Sequence, residues 1–427
     1  MVLRCSRWFL VLLIALVAGC RAPVYLMPTP EVMQDARFDV FADNPYLQDL
    51  DTITTYFATT RKPAKAGDRK VFSKHHGGAV RMGQATFRIG DEGDAWRALY
   101  TESMTVDERD RVELSLIDTA IEASADLEQW SDTPTDDVRE FFAGLNREID
   151  ASPTQILTVF VHGANNSFYE SVARGAQLQY FTGKSDVALT YAWPSAGSIW
   201  GYSHDKKQAN RSIGDFARFL KLLALHSTAK HINVIAYSSG GRIVGGALTK
   251  LGRDYPADDK RLDASKARRV NQVYMAASDE PLQAFAENYP GYAHIVDTIT
   301  VTANPDDAVL GLAKLADGEV RLGSVGGGQN VENLTDDERE RLRELINSDK
   351  LNFIDMQIDD IKGFEYSHGA WYENPWLSTD VLVTLYIGID PETRGLQSYQ
   401  TAQDVKVWYF PKDYLSALKA TLLDIYD

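Results

Sequence analysis

Between residues 155 and 356, short apolar segments of β type alternate with segments whose apolar residues recur at helical spacing. Strands are predicted at 155–161, 187–193, 232–236, 270–276, 295–302 and 351–356. Helices are predicted at 168–182, 206–225, 240–251 and from about 307 to 315. This alternation is typical of an α/β fold with a mostly parallel central sheet and helices on both faces. In such sheets, binding sites form beyond the carboxyl ends of the strands.

The segment 236–240, Ala-Tyr-Ser-Ser-Gly, follows one of these strands and precedes a helix rich in small residues. A serine at the tip of a sharp strand-to-helix turn is a nucleophile elbow. The residues two before and two after that serine must be small, because larger side chains would collide across the turn. Ala236 and Gly240 meet this requirement for Ser238, whereas a tip one residue later would put Tyr237 at a small position. Size therefore selects Ser238, with an ordinary β-to-α turn as the alternative.

A serine hydroxyl needs an imidazole to accept its proton and a carboxylate to orient that imidazole. After an elbow of this kind, the acid and then the histidine follow along the chain. Asp306 and Asp307 lie after a late strand, and Asp279 lies after an earlier one. Of the eight histidines, only His368 follows the two later aspartates. Chain order thus leaves one candidate base and leaves the acid open; a solvated histidine and a helix-capping aspartate are the alternatives.

Taken together, these features resemble a bacterial family of α/β hydrolases of unknown function, often predicted to be esterases. Its landmarks are matched at 56–61, 160–166, 193–197, the helix after Asp205, 236–241, 304–310, and at His368 with Asn374-Pro375 downstream. The resemblance covers about residues 50–385 and implies an α/β-hydrolase fold. It makes Asp306 the first choice of acid and Asp307 the second. The family more often has Asn-Asp where this chain has Pro305-Asp306, and that departure bears on the choice.

The His-Gly turn at 162–163 resembles the hydrolase segment that lends a backbone N–H to an oxyanion. The resemblance implies two donors, the N–H of Ser239 and that of Ala164 or Asn165. His162 precedes the serine in the chain, which favours a structural role over that of a base. Asn165 and Asn166 are expected to brace the turn.

The first twenty residues are typical of a secretory leader. Arg4 and Arg7 precede an apolar run at 8–18 that is too short to span a bilayer comfortably. Val-Ala-Gly-Cys at 17–20 resembles a bacterial lipobox, which implies cleavage before Cys20 and lipidation of that residue. Arg21, in place of aspartate, favours the outer membrane by the same resemblance. An uncleaved anchor is the alternative.

Composition constrains the partners. Apolar residues make up 44% of the chain, and the formal net charge is −16. Cleavage after residue 19 would remove Arg4 and Arg7 and make the mature chain more negative still. Such an acidic globular protein repels nucleic acid and anionic headgroups, so membrane attachment is expected through the N-terminal lipid alone. The two cysteines, Cys5 and Cys20, leave no thiol for a disulfide in the mature chain.

The predicted organisation is a lipoprotein signal peptide at 1–19, a lipidated cysteine and tether at 20–50, an N-terminal extension at 51–150 packed on the hydrolase body, and an α/β-hydrolase domain at 151–427. The tether assignment rests on four prolines and little periodicity. In the extension, strands are expected at 56–60 and 85–88 and a helix at 107–124. The C-terminal extension is expected to add a strand at 405–410 and a helix at 414–425.

The functional hypothesis is a serine hydrolase at the cell envelope that cleaves small-molecule or lipid esters through an acyl-enzyme. Ser238 attacks, His368 relays the proton, and Asp306 or Asp307 orients the histidine. No metal and no organic cofactor is expected, because the chain lacks His-Glu-x-x-His and a cysteine cluster. The alternative is a non-catalytic lipid-tethered binding or scaffolding protein with the same fold.

Overall fold

The computed structural model describes residues 23–40, 51–65, 71–92, 103–105, 110–197, 201–258, 270–325, 340, 343, 350–356, 368–401 and 405–426. The signal peptide and Cys20 lie outside these residues, so both stay predictions. None of the described helices combines the length and apolarity that a bilayer crossing requires.

Twelve strands in the described part of the chain form one sheet. They are β1 (Val24–Tyr25), β2 (Thr52–Pro63), β3 (Phe72–Ile89), β4 (Glu113–Asp126), β5 (Ile156–Val161), β6 (Val187–Tyr191), β7 (His231–Tyr237), β8 (Val270–Ala276), β9 (Val296–Ala303), β10 (Leu351–Asp355), β11 (Gln397–Gln400) and β12 (Lys406–Tyr409). Their order is β1-β4-β3-β2-β6-β5-β7-β8-β9-β10-β12-β11. Pairing is parallel from β2 to β12 and antiparallel at both margins.

The α-helices connect and cover the strands. They are α1 (Asp136–Ala151), α2 (Phe168–Phe181), α3 (Tyr202–His226), α4 (Ser239–Asp254), α5 (Leu282–Asn288), α6 (Ala308–Asp317), α7 (Ala370–Glu373), α8 (Pro375–Leu382) and α9 (Tyr414–Tyr426). Shorter 3-10 turns occur at Glu31–Gln34, Ala36–Phe38, Tyr289–Gly291 and Leu322–Ser324, and a π-helical turn at Val383–Ile387.

Helices lie on both faces of the sheet. Residues of α1, α3, α4 and α5 share one apolar cluster with strand residues, whereas α2, α8 and α9 contribute to a second. In α1 the buried residues recur at helical spacing, as Val138, Phe141, Leu145 and Ile149 illustrate. The central strands β5 and β6 are buried along their whole length, as expected for parallel strands covered on both sides.

The α/β-hydrolase fold is confirmed, with the predicted strands and helices after residue 150 present within a few residues of their expected bounds. The helix predicted at 107–124 is wrong, because Glu113–Asp126 forms strand β4 along β3. Leu114 and Leu116 alternate as in a strand, but Ala123 follows Leu116 at a helical spacing of seven residues, because register shifts interrupt the alternation along β4. The long pairing with β3 decides in favour of the strand, an effect of tertiary context that the local sequence does not contain.

The tether assigned to residues 20–50 is wrong for residues 24–38, which we call the N-terminal strap. Tyr25 and Val24 pair with β4 at the sheet margin, and the next residues turn back onto α2 and α8. The Met27 N–H donates to Gln177 Oε1 (2.5 Å), and the Val32 N–H donates to Thr379 Oγ1 (3.2 Å). Buried apolar side chains along the strap, with these bonds, make it part of the folded body.

Candidate active site

Ser238 occupies a strained turn between β7 and α4. Its φ of 52° and ψ of −119° lie outside the regions that non-glycine residues normally populate. A Cβ at Gly240 would lie 2.2 Å from the Val161 carbonyl oxygen, so the size rule applied to the sequence has a physical basis here. The Ser238 N–H donates to the Ala276 carbonyl (3.0 Å), which ties the turn to the neighbouring strand.

Three side chains from separate loops meet at this turn. His368 Nε2 lies 2.8 Å from Ser238 Oγ, and His368 Nδ1 lies 2.7 Å from Asp307 Oδ2. The His368 side chain is 14% exposed and that of Asp307 only 1%, so the pair is shielded while the imidazole edge stays accessible. A carboxylate on Nδ1 fixes the tautomer in which Nε2 accepts the serine proton.

The structure brings Asp307 to His368, and the first choice of acid, Asp306, is therefore wrong. Asp307 is the N-cap of α6: its Oδ1 accepts the N–H groups of Val309 (2.9 Å) and Leu310 (3.1 Å). This capping turns its carboxyl group inward, so Oδ2 faces the histidine. Asp306, one residue earlier, is exposed. Matching by family position therefore misses the acid by one residue: the Asp306 side chain is exposed, whereas that of Asp307 is buried against His368.

The expected oxyanion donors divide into two that remain available and one that does not. Ser239 is the first residue of α4, where the N–H groups and the helix dipole favour negative charge. A Cβ at Gly163 would lie 2.9 Å from Ser238 Cβ, so its loop runs directly against the serine. The Asn165 N–H already donates to Asp205 Oδ2 (2.8 Å), which excludes Asn165. No described residue accepts the N–H of Ala164, which remains the second donor.

Asn166 braces the same loop, as expected. Its Nδ2 donates to the carbonyls of Gly163 (3.2 Å) and Ala164 (2.7 Å), and its Oδ1 accepts from Arg174 Nη1 (2.8 Å). Its own carbonyl accepts from Arg61 Nη2 (2.8 Å). Burial lowers the pKa of Arg61 to about 9, which still leaves the guanidinium charged at neutral pH. Asn166 therefore connects Arg61 and Arg174 to the loop that carries the Ala164 N–H, one of the two candidate oxyanion donors.

His162 is a structural residue in this arrangement, as the chain order suggests. Its ring stacks on Trp193 with centroids 5.0 Å apart, and its two nitrogens lie 2.7 Å and 3.1 Å from the carbonyls of Gly163 and Trp193. Burial, together with the Arg61 charge, holds the pKa of His162 well below its usual range. Both ring nitrogens face backbone carbonyls and neither faces Ser238 Oγ, so His162 is not positioned to accept the serine proton.

An aromatic wall formed by Tyr237, Trp371 and Tyr372 borders the histidine. The Tyr237 ring centroid lies 5.3 Å from that of His368, and the rings of Trp371 and Tyr372 lie 5.9 Å and 5.8 Å from Tyr237. These contacts hold the loop that carries His368 against the elbow.

The third candidate acid, Asp279, lies on the other side of the elbow and does not contact His368. Its N–H donates to the Ser238 carbonyl (3.0 Å), but its carboxylate accepts from Arg321 Nε (2.7 Å) and from Ser239 Oγ (3.2 Å). The Arg321 side chain is fully buried. Asp279 is thus committed to a buried ion pair that supports the turn.

Several residues at the site carry no local signal in the sequence. Arg174 lies in the middle of a helix, Asp205 clamps the backbone N–H groups of Asn165 and Ala196, and Arg321 reaches Asp279 across 42 positions. Each depends on contacts between distant segments. Within the described ranges, no group of three or more His, Cys, Asp or Glu side chains is arranged to hold a metal ion.

Solved structures with similar chains include hydrolases and esterases. A predicted CIB-like hydrolase from Thermoplasma acidophilum is 12% identical, with a TM-score of 0.29, over 55% of this chain and 86% of its own. A Thermogutta terrifontis esterase, Est2, is 13% identical (TM-score 0.30; 55% and 82%), and esterase Est22 is 11% identical (TM-score 0.31; 88% and 95%). These scores are too low to support an argument. A search of curated proteins finds no match.

A family model gives the assignment. The model described as "alpha/beta hydrolase of unknown function (DUF900)" matches residues 139–383, more than half of the chain. The matched segment runs from α1 through the elbow, Asp307 and His368 to the end of α8. By this match, together with the sheet and the elbow described above, the chain belongs to the DUF900 family of α/β hydrolases.

Proposed function

We propose that this hydrolase is a serine esterase that cleaves carboxylic esters through an acyl-enzyme. The observation that supports the proposal most is the continuous hydrogen-bonded chain from Ser238 Oγ through His368 to Asp307, with bonds of 2.8 Å and 2.7 Å. The strained backbone of Ser238 is a second support, because such strain is retained where surrounding structure enforces it for function.

In the proposed mechanism, Ser238 Oγ attacks the ester carbonyl carbon while His368 Nε2 accepts its proton. The developing oxyanion accepts hydrogen bonds from the N–H groups of Ser239 and Ala164. His368 then gives the proton to the leaving alcohol, and the acyl group stays on Ser238. Water, deprotonated by His368, attacks the acyl-enzyme, and His368 returns that proton to Ser238 Oγ as the bond to the acyl group breaks and the acid leaves. Asp307 remains ionised and stabilises the imidazolium in both halves.

Active-site labelling tests this proposal against the non-catalytic alternative. A fluorophosphonate probe should label the native protein, and Ser238→Ala should abolish the labelling. Ser239→Ala is the matched control: it removes the adjacent hydroxyl but keeps the backbone N–H, and it should remain labelled. A protein that takes up no probe and hydrolyses no acyl ester of any chain length would be a binding protein with a hydrolase fold.

We also propose that lipid on Cys20 holds the mature protein at the bacterial outer membrane, facing the periplasm. The support is the lipobox-like sequence at 17–20. Because β1 begins at Val24, such a lipid would hold the sheet margin within a few residues of the bilayer. Cys20→Ser should abolish incorporation of labelled palmitate, whether or not the leader is then cleaved. Cys5→Ser, in the leader, should leave that incorporation unchanged; the same result for Cys20→Ser would refute lipid anchoring.

A further inference from the structure

Arg174 on α2 places its guanidinium beside the proposed active site, and this guanidinium forms no ion pair with a described carboxylate. Its Nη1 donates to Asn166 Oδ1 (2.8 Å), and its central carbon lies 4.4 Å from the centre of the Tyr372 ring. No described carboxylate forms an ion pair with it. Glu170, four residues earlier on the same helix, uses its carboxylate to accept the Ser167 N–H (2.6 Å) in a capping box.

The three fully buried arginines in the described part of the chain bond to carboxylates or carbonyls, although Arg61 Nε is left without a partner. Arg321 bonds to Asp279 at 2.7 Å and Arg394 bonds to Asp380 at 2.6 Å. Arg61 donates to two backbone carbonyls, at Asn166 and Ser195. Arg174 differs because it is half-buried: its Nε and Nη2 have no hydrogen-bond partner in the described part of the chain, yet they are not sealed from solvent as Arg61 Nε is. Burial lowers the pKa of Arg174, but the nearby tyrosines together with Glu170 and Glu373 raise it by more, so the guanidinium stays charged while those N–H groups remain free for a ligand.

Two short contact paths connect Arg174 to the proposed reaction centre. Along one, Tyr372 under the guanidinium packs on Tyr237, whose ring borders His368. Along the other, Asn166 bonds to the loop that runs against Ser238. Along either path two residues lie between Arg174 and the reacting side chains, a separation that a group several bonds from the ester carbonyl can bridge.

The guanidinium is the side chain best suited to receive a carboxylate or a phosphate, since its N–H groups form a fork that matches two oxygens. We propose that Arg174 forms an anion subsite, and that the preferred substrates are esters bearing a carboxylate or phosphate group near the scissile bond. This inference rests on the proposed esterase function. On a chain with a net charge of −16, such a subsite would offset the general repulsion of anionic substrates.

Matched ester pairs test the subsite and identify which anion it takes. One pair is mono-4-nitrophenyl adipate and its methyl ester, which differ by a carboxylate on the acyl side. The other is 1-butyrylglycerol 3-phosphate and 1-butyrylglycerol, which differ by a phosphate on the alcohol side. The native protein should hydrolyse at least one anionic ester with a kcat/KM about 10- to 100-fold above its neutral partner, the range expected for a charge-assisted hydrogen bond.

Substitutions at Arg174 separate a substrate contact from a structural role. Arg174→Gln should bring the anionic-to-neutral ratio close to one, chiefly by raising KM for the anionic ester, and Arg174→Lys should restore part of it. Asn166→Ala removes the brace of the oxyanion loop as well as the hydrogen-bond partner of Arg174, so it should lower kcat for both members of a pair and change their ratio less than Arg174→Gln does. Arg139→Gln, an exposed arginine on α1, controls for loss of one charge.

Equal rates on both members of each pair in the native protein would overturn the inference. So would Arg174→Gln lowering both rates by one factor, because Arg174 would then only position Asn166. Either outcome leaves the esterase proposal intact, since neutral-ester hydrolysis and fluorophosphonate labelling report on that separately. Absence of both labelling and hydrolysis would instead remove the proposed function.

Discussion

The loops after β8 and β9 each bring an aspartate to the nucleophile turn, yet the two carboxylates differ in every contact. Asp279 follows β8 and binds a fully buried arginine, Arg321, at 2.7 Å. Asp307 follows β9, pairs with no described arginine or lysine, and caps a helix with one oxygen while the other meets His368. A carboxylate can orient an imidazole only if no stronger cation occupies it. Contacts, and not proximity to the serine, separate the catalytic candidate from the structural one.

The largest expected effect comes from exchanging the Asp307 carboxylate for an amide, with the same exchange at Asp306 as the control. Asp307→Asn keeps the helix cap but presents an amide to His368 and favours the wrong tautomer, so kcat/KM on an activated ester should fall about 10³- to 10⁴-fold. Asp306→Asn should retain activity within a few-fold, because its side chain does not contact His368. Circular dichroism of both variants checks that each is folded. A greater loss at position 306 than at 307 would reverse the assignment of the acid.

The second prediction concerns Asp279 and the free energy of unfolding. Asp279→Ala removes the carboxylate 2.7 Å from the buried Arg321 Nε and leaves Glu319 Oε2, 3.1 Å from Nη1, as its remaining carboxylate, which should lower the free energy of unfolding by about 2 kcal/mol. Urea denaturation measures this. Adding Arg321→Met removes the buried guanidinium that has lost one of its carboxylates and should recover part of the loss. If Asp279→Ala were as stable as the native protein, the ion pair would not support the turn in the way argued here.

The features that could be predicted from the sequence depend on the order of elements and residues along the chain or on the size of side chains. Alternating strands and helices gave the parallel sheet, and chain order left His368 as the single candidate base. The bulk of Tyr237 placed Ser238 at the tip of the turn, where Gly240 indeed has no room for a Cβ. These arguments worked because each depends on neighbours within a few residues or on topology alone.

Predictions failed where a distant contact decides the direction of one group. The sequence predicts Asn165 as a possible oxyanion donor, but in the structure its N–H donates to Asp205, 40 positions away. The choice between Asp306 and Asp307 depended on which side chain caps α6. The N-terminal strap looked like a linker because its prolines and short apolar runs have no periodicity, although its burial is set by α2 and α8. Arg174 gave no signal at all, since a helical arginine is usually solvated.

A third prediction concerns Glu280, the neighbour of Asp279, and pH. Burial raises the pKa of this carboxyl group to about 8, well above its ordinary 4.5. Between these values the folded state keeps a proton that the unfolded state has lost, so its contribution is fully present below pH 4.5 and is lost as pH rises towards 8. The free energy of unfolding should decline by up to about 1.4 kcal/mol per pH unit in this window.

Glu280→Gln tests that assignment by urea denaturation at several pH values. The neutral amide cannot ionise, so the decline between pH 4.5 and 8 should flatten in the variant. Asp186→Asn is the matched control: burial raises the pKa of Asp186 to about 6, so its effect should be confined to lower pH. Identical slopes in Glu280→Gln and the native protein would place the ionisation elsewhere.

The smallest expected effect concerns the second role of Asp307, which is to cap helix α6. Asp307→Asn and Asp307→Ala should be about equally inactive, but only alanine loses the acceptor for Val309 and Leu310 N–H, at a cost of about 1 kcal/mol in unfolding free energy. Hydrogen exchange should show these two amides less protected in Asp307→Ala than in Asp307→Asn. Helix α5, whose N-cap Pro281 has no side-chain acceptor, should exchange alike in both. Equal protection at α6 would mean that capping does not direct this carboxyl group, and the reason given for Asp307 over Asp306 would fail.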